Sequence, residues 1–252
     1  SFGKRAVTYF PFIETESGTA SPLLHELAAK ACTIVTDEYP CFFHPTMIRV
    51  ARNRLPARLE LVDSNGVIPL RTPERTFTVA HSYRRWMQKN ILDHLMEMPK
   101  EDPLRGVKLP RLDSLPKPIL KKWPPSDLSH FIDGGGIQSL PIDHGVKVST
   151  TVIGGAAEAK SRLVRFLNRN LAVYGTDRNH PDERVTTGLS PHLHFGHISA
   201  HEIVRQLLEK ESWTPDKASP ANGKNHGFWN TSEPSEAFLD QVLTWREMGF
   251  NL

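Results

Sequence analysis

Apolar and polar positions along this chain fall into three regimes. Over residues 1–98, short apolar runs alternate with stretches at helical spacing. Residues 6–10 (AVTYF), 33–39 (TIVTDEY) and 57–63 (ARLELVD) read as strands, with SFGKR leading into the first. Residues 23–32 (LLHELAAKAC) and 47–55 (MIRVARNRL) read as helices. This β-α-β-α-β succession predicts a parallel sheet with helices on its faces, and a long helix should follow from about 79 to 98. The second regime, residues 99–150, carries eight of the twenty prolines, including PKP and WPP, and the triple glycine at 134–136. No hydrophobic period survives there, so a surface linker is expected, anchored by Trp123 and Phe131.

From about Gly154 the pattern is wholly helical. Residues 156–174 place Leu163, Phe166, Leu167 and Leu171 on one stripe, with Arg162, Arg165 and Arg169 elsewhere. Residues 201–210 repeat the theme with Ile203, Val204, Leu207 and Leu208, and Ser199 with Glu202 forms a capping box at the start. A last helix is expected from about Glu236 to the end, with Phe238, Val242 and Trp245 at i, i+4 and i+7. The absence of an initial methionine and a helical pattern running uncapped to Leu252 point to an internal fragment of a longer protein.

Composition narrows the function classes. A net charge of +3 and a pI near 8.9 permit a polyanionic partner without resembling a dedicated nucleic-acid arm. Cys32 and Cys41 lie outside any metal or redox motif, which predicts free thiols in a reducing, cytoplasmic setting. No eighteen-residue apolar run and no signal-peptide pattern are present, so neither membrane spanning nor export is expected. Asp37 and Asp63 end strands where open α/β sheets place ligands. No GxGxxG or GxxxxGK[ST] follows any strand, so helix capping and loop solvation account for both aspartates.

The stretch TTGLSPHLHFGHIS, residues 186–199, carries three histidines in six positions. A metal would need them to converge. On a helix His194 and His197 share a face, whereas His192 points away and no nearby Cys or carboxylate completes a shell. A plain helix start accounts for Ser190 as N-cap, Pro191 at the first helical position, Leu193 and Phe195 packing, and partly solvated histidines. An anion cradle also uses Thr186, Thr187 and Gly188: hydroxyls and backbone N–H groups at the positive end of a helix dipole suit a phosphate.

Tyr174, then Arg178, Asn179 and Pro181, then TTGLSPHLHFGHISA (186–200) resembles the Y…RN.P…LSPYLHFG.ISA signature of the photolyase/cryptochrome flavoproteins. The resemblance is closest to the class II cyclobutane pyrimidine dimer photolyases. VTDEYP (35–40) and LELVDSNGVIPL (59–70) resemble the latter half of that family's antenna-type α/β domain, and FLDQVLTWREMGFNL (238–252) resembles its helix FLEELIVRREL. The resemblance implies an α/β plus all-α protein in three parts. Residues 1–98 would be the later part of a Rossmann-like antenna domain, 99–150 a linker, and 151–252 the first part of a helical FAD-binding domain.

The same resemblance implies FAD as cofactor, with a second antenna chromophore of the deazaflavin or folate type. Tyr174 would contact FAD, Thr186, Thr187, Gly188, Leu189 and Ser190 would hold its phosphates, and Arg178 would contact DNA. Gln241 and Trp245 would line the pocket where damaged DNA meets the flavin, as the catalytic and DNA-contacting pair, and Arg246 would line the flavin side. Photoexcited reduced FAD would donate an electron that splits the dimer, in a monomer acting in the cytoplasm at the nucleoid. Gln241 stands where class II enzymes usually carry a glutamate, and Trp245 where they carry an arginine. Glutamine keeps hydrogen bonding but supplies no carboxylate, so a cryptochrome-like photoreceptor without repair activity is the alternative. A fragment lacking half the pocket walls is expected to bind FAD poorly by itself.

Overall fold

The computed structural model describes residues 6–132 and 135–252. The lead-in SFGKR and Gly134 of the triple glycine lie outside the described residues. The chain divides into two compact units.

The first unit holds residues 1–36, 41–62 and 100–149. Helix α1 (Ala20–Ala28) leads to strand β1 (Thr33–Asp37), and helix α2 (His44–Arg54) crosses over to β2 (Arg58–Val62). These two strands form a small parallel sheet. Both alternate exposed and half-buried positions, as expected of strands covered on one face only. The expected strand at 6–10 does not form: those residues are bends and irregular chain. Pro11 follows at once, and the segment is tied by scattered bonds instead of a ladder. Thr8 Oγ1 donates to Leu112 O, Ile13 N donates to Ser126 Oγ at 2.8 Å, and Ser126 N donates to Pro11 O at 2.9 Å. Phe10 and Phe12 instead pack on a small core of Leu23, Ile119 and Trp123.

That core places the proline-rich stretch. It contains the short helices α4 (Lys117–Lys122) and α5 (Leu128–Ile132) and a 3₁₀ turn at Gly135–Ser139. Trp123 is an anchor, buried at the end of α4, and Phe131 is half-buried against the His130 ring. Cys32 and Cys41 are free thiols.

The second unit, residues 37–40, 63–99 and 150–252, is helical. Helix α3 (Ala80–Met96) buries Tyr83, Met87 and Ile91 at four-residue spacing, with Arg84 and Gln88 beside them. Helix α6 (Ala156–Arg165) passes through a π-turn at Phe166–Asn170 into α7 (Leu171–Asp177). Leu163, Phe166, Leu167 and Leu171 are all buried, as their stripe predicts. After the one-turn helix α8 (Ser190–His194) comes α9 (Ala200–Lys210), where Glu202 N donates to Ser199 Oγ at 3.1 Å, one half of the expected capping box, while the Glu202 carboxylate accepts from Gln206 Nε2 at 3.1 Å; Ile203, Val204, Leu207 and Leu208 are buried. The last helix starts at Glu233 as α10 (Glu233–Leu239), runs through a second π-turn at Asp240–Trp245 and ends as α11 (Arg246–Asn251).

That second π-turn changes which residues face inward. Phe238 and Val242 are buried as expected, but the added residue per turn brings Leu243 inward and turns Trp245 out to 48 % exposure. Met248 returns to the core, so Gln241, Trp245 and Met248 do not share one face. Asp63 binds the loop after β2, accepting from the N–H groups of Asn65 and Leu70, and Asp37 accepts from Ser64 Oγ. Both aspartates thus serve as loop acceptors.

Candidate functional site

The loop before α8 is short and pinned at one point. Leu189 is buried at 2 % exposure, while Thr186, Gly188 and Ser190 are exposed and Thr187 is half-buried. Leu189, not Ser190, occupies the N-cap position, because Leu193 N donates to Leu189 O at 2.8 Å and Ser190 is already helical. Thr187 Oγ1 accepts from Leu189 N at 3.2 Å, a local turn that holds the loop. Gly188 sits at φ +63°, and a Cβ there would lie 2.8 Å from Arg162 Nη1. The guanidinium of Arg162, steadied by Glu158 at 2.7 Å one helical turn back, therefore lies directly over the glycine. Glycine is favoured here by its dihedral angle, and a side chain at this point would also push the guanidinium aside.

The histidines do not follow the helical wheel. Helix α8 lasts one turn and closes in a Schellman motif: Gly196 at φ +68° follows the helix, His197 N donates to His192 O at 2.8 Å, and Gly196 N donates to Leu193 O at 3.4 Å. The reversal brings His197 back onto His192, with their Nδ1 atoms 3.3 Å apart, and His197 Nδ1 also accepts from Gly155 N at 3.1 Å. His192 is buried, its Nε2 lacks a hydrogen-bond partner among the described residues, and desolvation, with Arg162 nearby, lowers its pKa. Phe195, expected to pack, is instead 69 % exposed because the helix ends beneath it. Among the described residues no group of three or more His, Cys, Asp or Glu could hold a metal ion.

Tyr174 lies in an aromatic cluster. Its ring meets Phe166 and Phe238 edge-on at 5.3 and 5.4 Å, and the Arg178 guanidinium lies 5.5 Å from its centroid. Burial raises its hydroxyl pKa. Arg178 is half-buried and donates Nη1 to Ala237 O at 3.2 Å, which ties the end of α7 to α10.

On the terminal helix, Asp240 is the hub. Arg84 grips its carboxylate in bidentate fashion, Nε to Oδ1 at 2.7 Å and Nη2 to Oδ2 at 3.1 Å, and Trp245 Nε1 donates to the same Oδ2 at 3.1 Å. Gln241 beside it is half-buried. Arg246 is half-buried over the Phe250 ring at 4.9 Å, its Nη1 without a hydrogen-bond partner among the described residues, and burial lowers its pKa. Glu247 is buried; its carboxylate accepts from Val67 N at 2.7 Å and Ile68 N at 3.4 Å, and desolvation pushes its pKa to about 7.

The structure thus brings Thr186–Ser190 together as one loop, keeps Gln241, Trp245 and Arg246 on consecutive turns of one helix, and sets Tyr174 with Arg178. Sequence reasoning missed Arg162, Asp240, Arg84 and Glu247. The Glu158–Arg162 pair at i, i+4 is the one local signal that could have flagged Arg162. The others act through contacts more than a hundred residues apart.

No family model matches this chain. Among curated proteins it is 24 % identical over 190 residues to the deoxyribodipyrimidine photo-lyase of Potorous tridactylus, covering 74 % of this chain and 32 % of that protein. It is 25 % identical over 198 residues to the enzyme of the same name from Arabidopsis thaliana, covering 75 % and 34 %. For the one from Oryza sativa subsp. japonica the match is 32 % over 87 residues, covering 34 % and 14 %. The chain therefore spans about a third of the length of the first two relatives. Among solved structures it resembles the class III photolyase of Agrobacterium tumefaciens in fold, with a TM-score of 0.59 at 17 % identity, over 92 % of this chain and 43 % of that one.

Proposed function

We propose, from this chain's membership in the photolyase family, that it belongs to a flavin-dependent protein that repairs cyclobutane pyrimidine dimers in DNA under light. The observation that carries this reading is the 186–190 loop. Gly188 lets the Arg162 guanidinium approach the bare backbone closely, and the exposed Thr186 and Ser190 flank it in the same loop. A cation and hydroxyls around bare backbone fit the diphosphate of FAD. The orphaned Nη1 of Arg246 is a further donor suited to an absent polar group.

In this reading Thr186, Thr187, Gly188, Leu189 and Ser190 would hold the FAD phosphates and Arg162 would offset their charge. Tyr174 and Arg246 would border the flavin. FAD, when bound, supplies the light-driven electron donation. The chain's own residues supply placement. Gln241 and Trp245 would line the space that receives a flipped dimer, whose poor stacking lowers the cost of extrusion. The remaining N–H groups of Arg178 would pair with a DNA phosphate and fix the register of the duplex. A deazaflavin- or folate-type antenna chromophore, a monomeric state and a cytoplasmic place at the nucleoid belong to the same reading. The α/β unit would correspond to part of an antenna-type domain and residues 151–252 to part of the FAD-binding domain.

A photoreceptor without repair activity is the second reading, favoured by Gln241, whose amide offers no carboxylate to the dimer. FAD titration followed by flavin fluorescence tests the shared premise. Saturable binding that weakens in Arg162→Gln and Gly188→Val supports it, and no binding by any form of the protein refutes it. Restoration of thymine absorbance in ultraviolet-irradiated oligothymidylate under blue light then separates repair from signalling.

A further inference from the structure

The indole of Trp245 is half exposed, yet its orientation is fixed from beneath. Its Nε1 donates to Asp240 Oδ2 at 3.1 Å, and that oxygen is shared with Arg84 Nη2 at 3.1 Å. In an α-helix, residues five apart point in different directions. The π-turn at Asp240–Trp245 adds one residue to the turn, so a carboxylate and an indole five positions apart become neighbours. Arg84 is itself immobilised: Nε and Nη2 hold Asp240, Nη1 donates to Gly223 O at 3.0 Å, and the side chain is 11 % exposed. Gln88, one turn further along α3, accepts from Asn222 N at 3.0 Å and Gly223 N at 2.8 Å and closes the frame around that carbonyl. A large apolar ring held at its polar edge and half exposed can serve as a stacking platform.

We propose that Arg84 and Asp240 are positioning residues that set the Trp245 indole at the angle needed to stack on an unpaired nucleobase. The inference rests on the proposed function, in which Trp245 meets DNA, and adds what aims the ring. A charged, bidentate clamp suits this task better than a neutral hydrogen bond. Each Asp240 oxygen accepts one N–H from Arg84, which fixes the plane of the carboxylate, and Oδ2 takes the indole N–H on its second lone pair.

The test combines indole NMR with binding of oligothymidylate. The chain has five tryptophans and hence five indole N–H signals, and Trp245→Phe identifies one of them. In Asp240→Asn the single amide oxygen goes to Arg84 and the NH₂ faces the indole. The Trp245 signal should then move upfield and exchange faster with solvent while the other four hold. The paired variant Arg84→Met with Asp240→Leu removes both charges together and leaves neither uncompensated, and it should produce the same freed indole. Trp245→Ala should weaken oligothymidylate binding roughly tenfold, and both clamp variants roughly three- to fivefold, since an untethered ring stacks less often. If Trp245→Ala weakens binding and the clamp variants do not, the positioning role is overturned while the reading of the site stands. If Trp245→Ala has no effect on binding, the placement of Trp245 at DNA fails and the inference fails with it. An unmoved indole signal in Asp240→Asn refutes the tether directly.

Discussion

Glu247 gives the sharpest pH prediction. Its carboxyl is fully buried, and desolvation raises its pKa from an ordinary 4.5 to about 7, against the opposing pull of the Val67 and Ile68 N–H groups and Arg246, with Asp63 adding to the rise. Tyr83 faces the same group, and its own pKa is raised chiefly by burial and secondarily by Glu247. The folded chain therefore holds this proton up to about pH 7, whereas the unfolded chain releases it near pH 4.5. Between these values the folded state binds more protons, so stability falls as pH rises. Glu247's contribution is full below the unfolded value and gone above the folded one. Each pH unit in that window changes stability by about 1.4 kcal/mol, for a total of about 3 kcal/mol. Glu247→Gln keeps the shape, removes the titration and gives up one acceptor. The acceptor lost is the 3.4 Å contact to Ile68, which costs about 1 kcal/mol. The variant should then be slightly less stable than the parent near pH 5 and about 2 kcal/mol more stable near pH 8. Urea unfolding of both proteins across that range measures the difference. Curves that stay parallel, without a crossing, would show that Glu247 does not carry a raised pKa.

Three further outcomes follow from the same contacts. Arg84→Met alone should destabilise the protein by about 3–5 kcal/mol by leaving Asp240 buried without its partner, and adding Asp240→Leu should recover most of that loss in urea titrations. Gly188→Ala should lower stability by about 1 kcal/mol from its φ of +63° and weaken pyrophosphate binding by isothermal calorimetry, because the new Cβ displaces the Arg162 guanidinium. Ser199→Ala should cost about 1 kcal/mol, read as a lower urea midpoint, and Ser199→Asp should largely restore it.

What the chain's pattern revealed and what it hid divide along a physical line. Leu163, Phe166, Leu167 and Leu171 were legible because a helix repeats its own spacing whatever it packs against. Ser199 was legible because a cap is local, three residues wide. Residues 6–10 misled because a strand is only as real as its partner. Their β-rich composition meets no ladder, and Phe10 turns to Trp123 instead. The 186–190 loop was visible as a motif, but Arg162 above Gly188 was not, since the two are brought together by tertiary packing. His192 and His197 were assigned opposite directions by a wheel that assumed a longer helix, and the glycine turn at 196 reversed that. Glu247 beneath residues 66–68 and Arg84 on Asp240 had no signature in spacing at all.

The π-turn in the final helix means that two rotational phases share one rod. Residues up to Leu239 and residues from Arg246 onward are each regular, but they are offset from each other by the one surplus residue between them. Deleting a residue from that stretch would restore a uniform coil and rotate everything beyond it by about 100°. Glu247 would then leave the Val67 amide and Asn251 Oδ1 would leave Phe77 N, to which it now binds at 2.7 Å. The irregularity works as a phase setting: it decides which residues beyond it turn inward, and so aims the Glu247 carboxyl and the Asn251 amide that fasten the far end of the helix.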